Sequence, residues 1–189
     1  MDTFLFALLL VLALSLGGRD QWLVAQWSGA LGRSMPLLVL GMSCAGLSAA
    51  LMAWLGEGFA ALLPPRAAQM LVAFALAVAG FELVWPVKHK PPPREPTRSL
   101  GAIVIVLLAR QVGDAARFGV FALAAWAHLP ATAALGGAIG GAGAMAIGWS
   151  LGAKKLARWP LLLLRRSLAA GLLVAALLIG LDARFGASG

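Results

Sequence analysis

The sequence predicts an all-α integral membrane protein, with six transmembrane helices arranged as two inverted three-helix repeats. Three observations predict it. Of 189 residues, 61% are hydrophobic and 12% are charged, against about 45–50% and 25% in ordinary globular domains. Mean hydropathy is +0.92. Apolar runs of spanning length recur along the chain, and landmarks of the first half return in the second. A soluble fold of this size leaves too much surface in water to hide so many apolar side chains.

A spanning helix needs about 20 mainly apolar residues. The runs that qualify are 3–28, 36–54, 67–85, 100–126, 131–152 and 161–181. The first begins beside Asp2, with no Lys or Arg before its apolar stretch and no small-residue cleavage pattern after it. It therefore reads as a retained membrane helix rather than a signal peptide. Pro36 and the pair Pro64-Pro65 punctuate the first half. Residues 1–86 form the first repeat, 87–99 a proline-rich linker and 100–189 the second repeat. Proline density makes the linker extended.

The net charge is +8. Its distribution matters more than its sum, because cytoplasmic loops collect Lys and Arg. Alternate loops hold Arg33, then Lys88, Lys90, Arg94 and Arg98, then Lys154, Lys155, Arg158, Arg165 and Arg166. The opposite side holds Arg66 and Arg184. This predicts both termini outside the cytoplasm, with Arg165 and Arg166 snorkelling from the start of the last helix. The basic clusters read first as topology determinants and only second as an anionic-lipid site. No aromatic residues interleave with them, and Tyr is absent, which argues against nucleic acid. Cys44 is the single cysteine and reads as a small buried hydrophobe.

The duplication rests on four pairs. Gly17 matches Gly113, Pro36 matches Pro130, Gly56 matches Gly152 and Pro64 matches Pro160, at spacings of 96, 94, 96 and 96. The tetrapeptide AWLG at 53–56 also matches WSLG at 149–152. Three helices per copy is an odd number, so the second copy enters the membrane from the opposite side. Inverted repeats are a common transporter architecture, with the site near the midplane between the repeats. Gly136, Gly140, Ala144, Gly148 and Gly152 recur every fourth residue, as do Gly41, Ala45, Ala49 and Ala53. Such stripes let helices pack closely in lipid.

Intramembrane polar residues are costly and are functional candidates by default. The first and fourth runs carry them midway, as Ser15, Gly17, Gly18, Arg19, Asp20 and Gln21, and as Arg110, Gln111, Gly113, Asp114 and Arg117. Helical spacing puts Gln111 with Asp114 on one face, and Arg110 with Asp114 and Arg117. Carboxylate, amide and hydroxyl oxygens suit hard cations, so Asp114 and Gln111 are the metal candidates. Arg110 and Arg117 are the charge partners of Asp114. Glu82 reads as an interfacial residue that could gate the cavity, and His128 as a solvated loop histidine.

These segments resemble the GDT family of manganese/calcium–proton exchangers, which includes Golgi transporters and bacterial manganese exporters. The resemblance runs through GGRDQ at 17–21, AWLG at 53–56, LLPP at 62–65, LVWPVK at 83–88 and GDAARFGVFALAAW at 113–126. It implies two three-helix repeats, each with a Glu-x-Gly-Asp-[Lys/Arg]-[Thr/Ser] motif whose acids coordinate the cation and exchange it for protons. By position the first motif here is Ser15, Gly17, Gly18, Arg19 and Asp20, and the second is Gln111, Gly113, Asp114, Ala115 and Ala116. Asp114 is the one motif acid kept. Asp20 stands two residues late, a turn of about 200° on a regular helix.

The resulting expectation is a secondary transporter of divalent cations against protons, with a depleted acidic site. Manganese or calcium would be cargo, no resident cofactor is implied, and a bacterial inner membrane is the expected location. The partners are the lipid bilayer and a small inorganic ion or small-molecule substrate. The arginines suggest an alternative, an anion or zwitterion carrier. A third reading is a degenerate, non-transporting membrane protein. An enzyme is not expected. His89 and His128 fall on opposite sides, and no HExxH, nucleophile elbow or phosphate loop is present.

Overall fold

The computed structural model describes residues 2–85 and 99–186, with the side chains of Asp2 and Leu100 excepted. The linker at 87–99, apart from Ser99, lies outside the described residues. So do Lys88, His89, Lys90, Arg94 and Arg98. Among the described residues the chain is helical throughout, in eight helices: α1 (Asp2–Ser15), α2 (Arg19–Leu31), α3 (Met35–Ala61), α4 (Pro65–Val84), α5 (Leu100–Gln111), α6 (Ala115–Ala127), α7 (Pro130–Leu156) and α8 (Leu161–Phe185).

Four helices, α3, α4, α7 and α8, are long and apolar enough to cross a membrane. The first expected span is broken: α1 and α2 meet at a 64° bend, and together they make a fifth candidate span. The fourth is broken too, into the 12 residues of α5 and the 13 of α6. Six continuous spans are therefore not what forms. In both cases the polar, glycine-containing segment in mid-run ends one helix and starts another. Large apolar side chains point outward all round the bundle, among them Leu9, Leu47, Phe74, Ile105 and Leu177. With the long apolar helices, this fits a multi-pass protein in contact with a lipid bilayer.

Proline sets the helix starts. Pro36, Pro65 and Pro130 occupy the first turns of α3, α4 and α7, where a missing N–H costs nothing. The helix bounds also repeat. α2 and α6 are both 13 residues long and begin at 19 and 115; α3 and α7 are both 27 long and begin at 35 and 130. Gly32 ends α2 in the left-handed region at φ 72°, and His128 ends α6 there at φ 51°, 96 positions on.

The two halves interlock rather than standing side by side. α3 lies along α7, α4 along α8, α1 and α2 along α7, and α6 along α3 and α4. The small-residue stripes make this approach feasible. A side chain at Gly136 would strike the backbone of Phe4, one at Gly140 that of Leu8, and one at Gly56 that of Phe121. Gly152 departs from its partner Gly56, because it sits at φ 66° in a kink near the end of α7.

Candidate functional site

The first break is built by two buried glycines. Gly17 takes φ 73°, which an L side chain adopts only at a cost. Gly18 is extended and caps α2. A break in an apolar setting frees backbone groups that must find partners inside the protein. Here they do. Gly17 N–H donates to Gln21 Oε1 at 2.7 Å, and Gly18 N–H donates to Ser15 O at 3.1 Å. Arg165 Nη1 donates to Gly17 O at 3.4 Å. Gln21 also ties the break to α7 by donating from Nε2 to Ala144 O at 2.9 Å. That contact needs Gly148, where a methyl group would come within 2.8 Å of Gln21 Cγ.

The second break spans 112–114. Asp114 is extended, with φ −91° and ψ 142°, and caps α6; its N–H donates to Gln111 O at 3.1 Å. Gln111 is fully buried at the end of α5. Its Oε1 accepts from Ser48 Oγ at 2.8 Å, and its Nε2 lies 3.5 Å from Asp20 Oδ2. The two breaks therefore touch through Gln111 and Asp20. Both carboxylates stand at helix N-termini, where the helix dipole favours negative charge.

Oxygens from both breaks converge on Gly18. A methyl group on Gly18 would lie 2.9 Å from Asp20 Oδ1, 3.1 Å from Ser15 O and 3.8 Å from Asp114 Oδ1. Asp114 Oδ2 and Ser15 Oγ are buried and have no hydrogen-bond partner among the described residues. The same holds for Nε, Nη1 and Nη2 of Arg117. Arg117 is completely buried. Its guanidinium lies against Gly141 of α7, 3.4 Å from where a methyl group would sit.

Beside this core lies an ion-pair cluster. Glu82 of α4 accepts from Arg19 Nη2 at 3.0 Å and from Arg165 Nη2 at 3.3 Å. Glu82 and Arg165 are buried, while Arg19 is half-exposed. Ion pairing here is confined to Glu82 with Arg19 and Arg165; among the described residues Asp20 and Asp114 form no ion pair with Arg117. Among the described residues, no three His, Cys, Asp or Glu side chains gather as a metal site would require.

Ser15, Gly17, Gly18, Asp20, Gln111, Asp114 and Arg117 thus come together at the centre of the bundle. Four sequence-based placements need correction. Arg110 is exposed and is not a charge partner of Asp114. Regular helical spacing put both on one face, but the break at 112–114 resets the phase. Gly113, expected among the site residues, is exposed, with no atom within 4 Å of where its side chain would begin. Arg165 does not snorkel outward; it turns inward to Gly17 and Glu82. Glu82 is accordingly a buried member of the cluster rather than an interfacial residue. Ser48 and Arg165 were not singled out as site residues. The signal was the same for Ser48 and Glu82, a polar side chain inside an apolar run. For Arg165 there was none, because a basic residue at a helix start also suits a membrane interface.

Two cavities flank the centre. One of about 380 Å³ is lined by Gly17, Trp22, Leu83, Trp85, Trp159 and Arg165, among others, and so reaches the first break. The other, of about 400 Å³, lies between the α3–α4 turn and the end of α6, with Gln69 and His128 in its wall. Their walls share equivalent positions of the two halves: Ala61 and Ala157, Leu63 and Trp159, Pro65 and Leu161, Gln69 and Arg165. No family model, curated protein or solved structure matches this chain.

Proposed function

We propose that the chain is a secondary transporter that exchanges a small cation for protons, with the two helix breaks as its site. The observation that carries this is the convergence of two buried carboxylates, one from each break, beside Gly18. Asp20 and Asp114 are the carboxylates that bind cation or proton in turn. Ser15 and Gln111 supply neutral oxygens or orient the acids. Broken helices whose ends face a central site are how transporters place polar backbone at membrane depth. The 96-residue recurrence of helix bounds supports an inverted repeat of two three-span units. The two equivalent cavities support access from opposite sides. Manganese and calcium lead the substrate panel because the sequence resembles exchangers of those ions.

The test is reconstitution in liposomes under an imposed pH gradient, with a panel of divalent and monovalent cations. Wild-type protein is expected to carry at least one of them in a gradient-dependent way, and Asp114→Asn to lower that flux at least tenfold. Equal flux by Asp114→Asn would overturn the assignment. A second reading has its own observation. The buried Arg117 guanidinium without a hydrogen-bond acceptor favours an anion or zwitterion. Flux of a small carboxylate or phosphate that Arg117→Gln abolishes would select it.

A further inference from the structure

We propose that the cavity beside the first break binds one anionic phospholipid, its phosphate on the basic turn between α7 and α8 and its acyl chain along a wall of tryptophan and leucine. The cavity has a volume of about 380 Å³, within the range of small-ligand pockets. Trp22, Trp85 and Trp159 stand in its wall with Leu83, Leu156 and Leu162. Trp85, Trp159 and Leu162 are exposed, so large apolar side chains edge the mouth. In a bundle surrounded by lipid such an edge faces the bilayer, and tryptophan favours the level of the headgroups. The charged side chain in the wall is the buried Arg165.

Charge complementarity names the occupant. Ala157 and Trp159 line the cavity, and Arg158 stands between them in the chain. Lys154 and Lys155 lie in the last turn of α7, and Arg166 follows Arg165 on α8. All four are exposed, and none forms an ion pair among the described residues. From Ala115 to Leu181 the sequence holds no Asp or Glu, so these helices bring no counter-charge. The adjoining linker is itself basic, with Lys88, Lys90, Arg94 and Arg98 against Glu95, and does not complement the cavity. An amphiphile with an anionic head and an apolar tail matches both parts. The same basic residues set the expected orientation toward the cytoplasm, where the leaflet is rich in anionic lipid and basic pockets between helices take its headgroups. The equivalent cavity, at the far end of α8, gives an internal comparison. Gln69 stands there in place of Arg165 and Leu63 in place of Trp159, and among the described residues no Lys or Arg lines it. Matching helix bounds therefore do not by themselves dictate a basic, tryptophan-walled cavity.

The experiment is native mass spectrometry of the purified full-length protein in detergent, titrated with phosphatidylglycerol, phosphatidylcholine or inorganic phosphate. Wild type is expected to hold one phosphatidylglycerol about tenfold or more tighter than phosphatidylcholine, and Arg158→Gln/Arg166→Gln to remove most of that preference. Inorganic phosphate should not displace the lipid. Trp159→Ala should weaken phosphatidylglycerol binding while the protein stays monodisperse. Arg66→Gln/Arg184→Gln, which removes the same charge from the far end of α8, should leave binding unchanged. Equal retention of the two lipids, or of neither, would overturn the inference, and those measurements need no variant to fold. Displacement by phosphate would assign the basic turn to a free anion instead. Full binding by Trp159→Ala would take the lipid out of the cavity, and an equal loss in Arg66→Gln/Arg184→Gln would reduce the effect to net charge; either would overturn the site. None of these readouts involves transport, so the cation-exchange reading stands or falls separately.

Discussion

The two helix breaks occupy equivalent places in the chain, yet they are built in opposite ways. At the first, Gly17 and Gly18 are buried and the freed backbone is bonded to Gln21 and Arg165. At the second, Val112 and Gly113 are exposed, and α5 packs only lightly on α3, whereas its counterpart α1 lies closely along α7. The difference follows from what each half lends the other. The first break receives Arg165 and Glu82. Their equivalents 96 positions away, Gln69 and Leu178, bring no ion pair to the second. Matching helix bounds thus coexist with a charged clasp at only one of the two breaks. The clasped break reads as the fixed wall of the site and the open one as the wall free to move.

The largest effect is expected from releasing that clasp. Glu82→Gln removes the carboxylate that holds Arg165, which is itself buried. Breaking one partner of a buried pair costs about 3 kcal/mol or more, because the other charge is left unmatched. The melting temperature in detergent should fall clearly, and the double variant Glu82→Gln/Arg165→Gln should recover part of the loss. Equal melting of Glu82→Gln and wild type would show that the ion pair does not distinguish the two breaks.

Next comes Gly17→Ala. The left-handed backbone costs an L residue roughly 1–2 kcal/mol, and the new methyl would stand 3.2 Å from Leu161 Cβ. The variant should be less stable by about that amount, with cation flux reduced because Gly17 O and Gln21 lose their register. An unchanged melting temperature would mean that the break relaxes without its αL residue, which would make it no more rigid than the second.

Much of this arrangement was legible in the sequence, for local reasons. Length and apolarity located the spans, and polar residues in mid-run marked where two of them break. The small-residue stripes foretold which faces meet, as Gly136 against Phe4 and Gly148 against Gln21 show. The losses came from two sources. Counting 100° per residue across 112–114 presumed a continuous helix, which misplaced Arg110; the same count turned Asp20 away, although the break at Gly17 brings it back to Gln111. Glu82 and Arg165 arrive from α4 and α8, 62 and 145 positions from Asp20. No periodicity within one helix reports such a meeting. Choosing between an interfacial and a buried charge there depends on what packs across the bundle.

The smallest effects are expected at the open break, and they test the comparison most sharply. Gly113→Ala meets no atom within 4 Å of the added methyl, and the Gly113 backbone is not in the left-handed region. Arg110→Ala removes an exposed side chain. Substitutions of this kind fall within about 0.5 kcal/mol of neutral. Both variants should melt with wild type and keep its cation flux, although Gly113 adjoins Asp114 and Arg110 lies one helical turn before it. Gly113→Ala matching the loss from Gly17→Ala would mean that the two breaks are equally constrained. Flux lost in Arg110→Ala at unchanged stability would instead bring that arginine into the site during transport. Either result would replace the picture of a fixed and a mobile wall with one in which both breaks move.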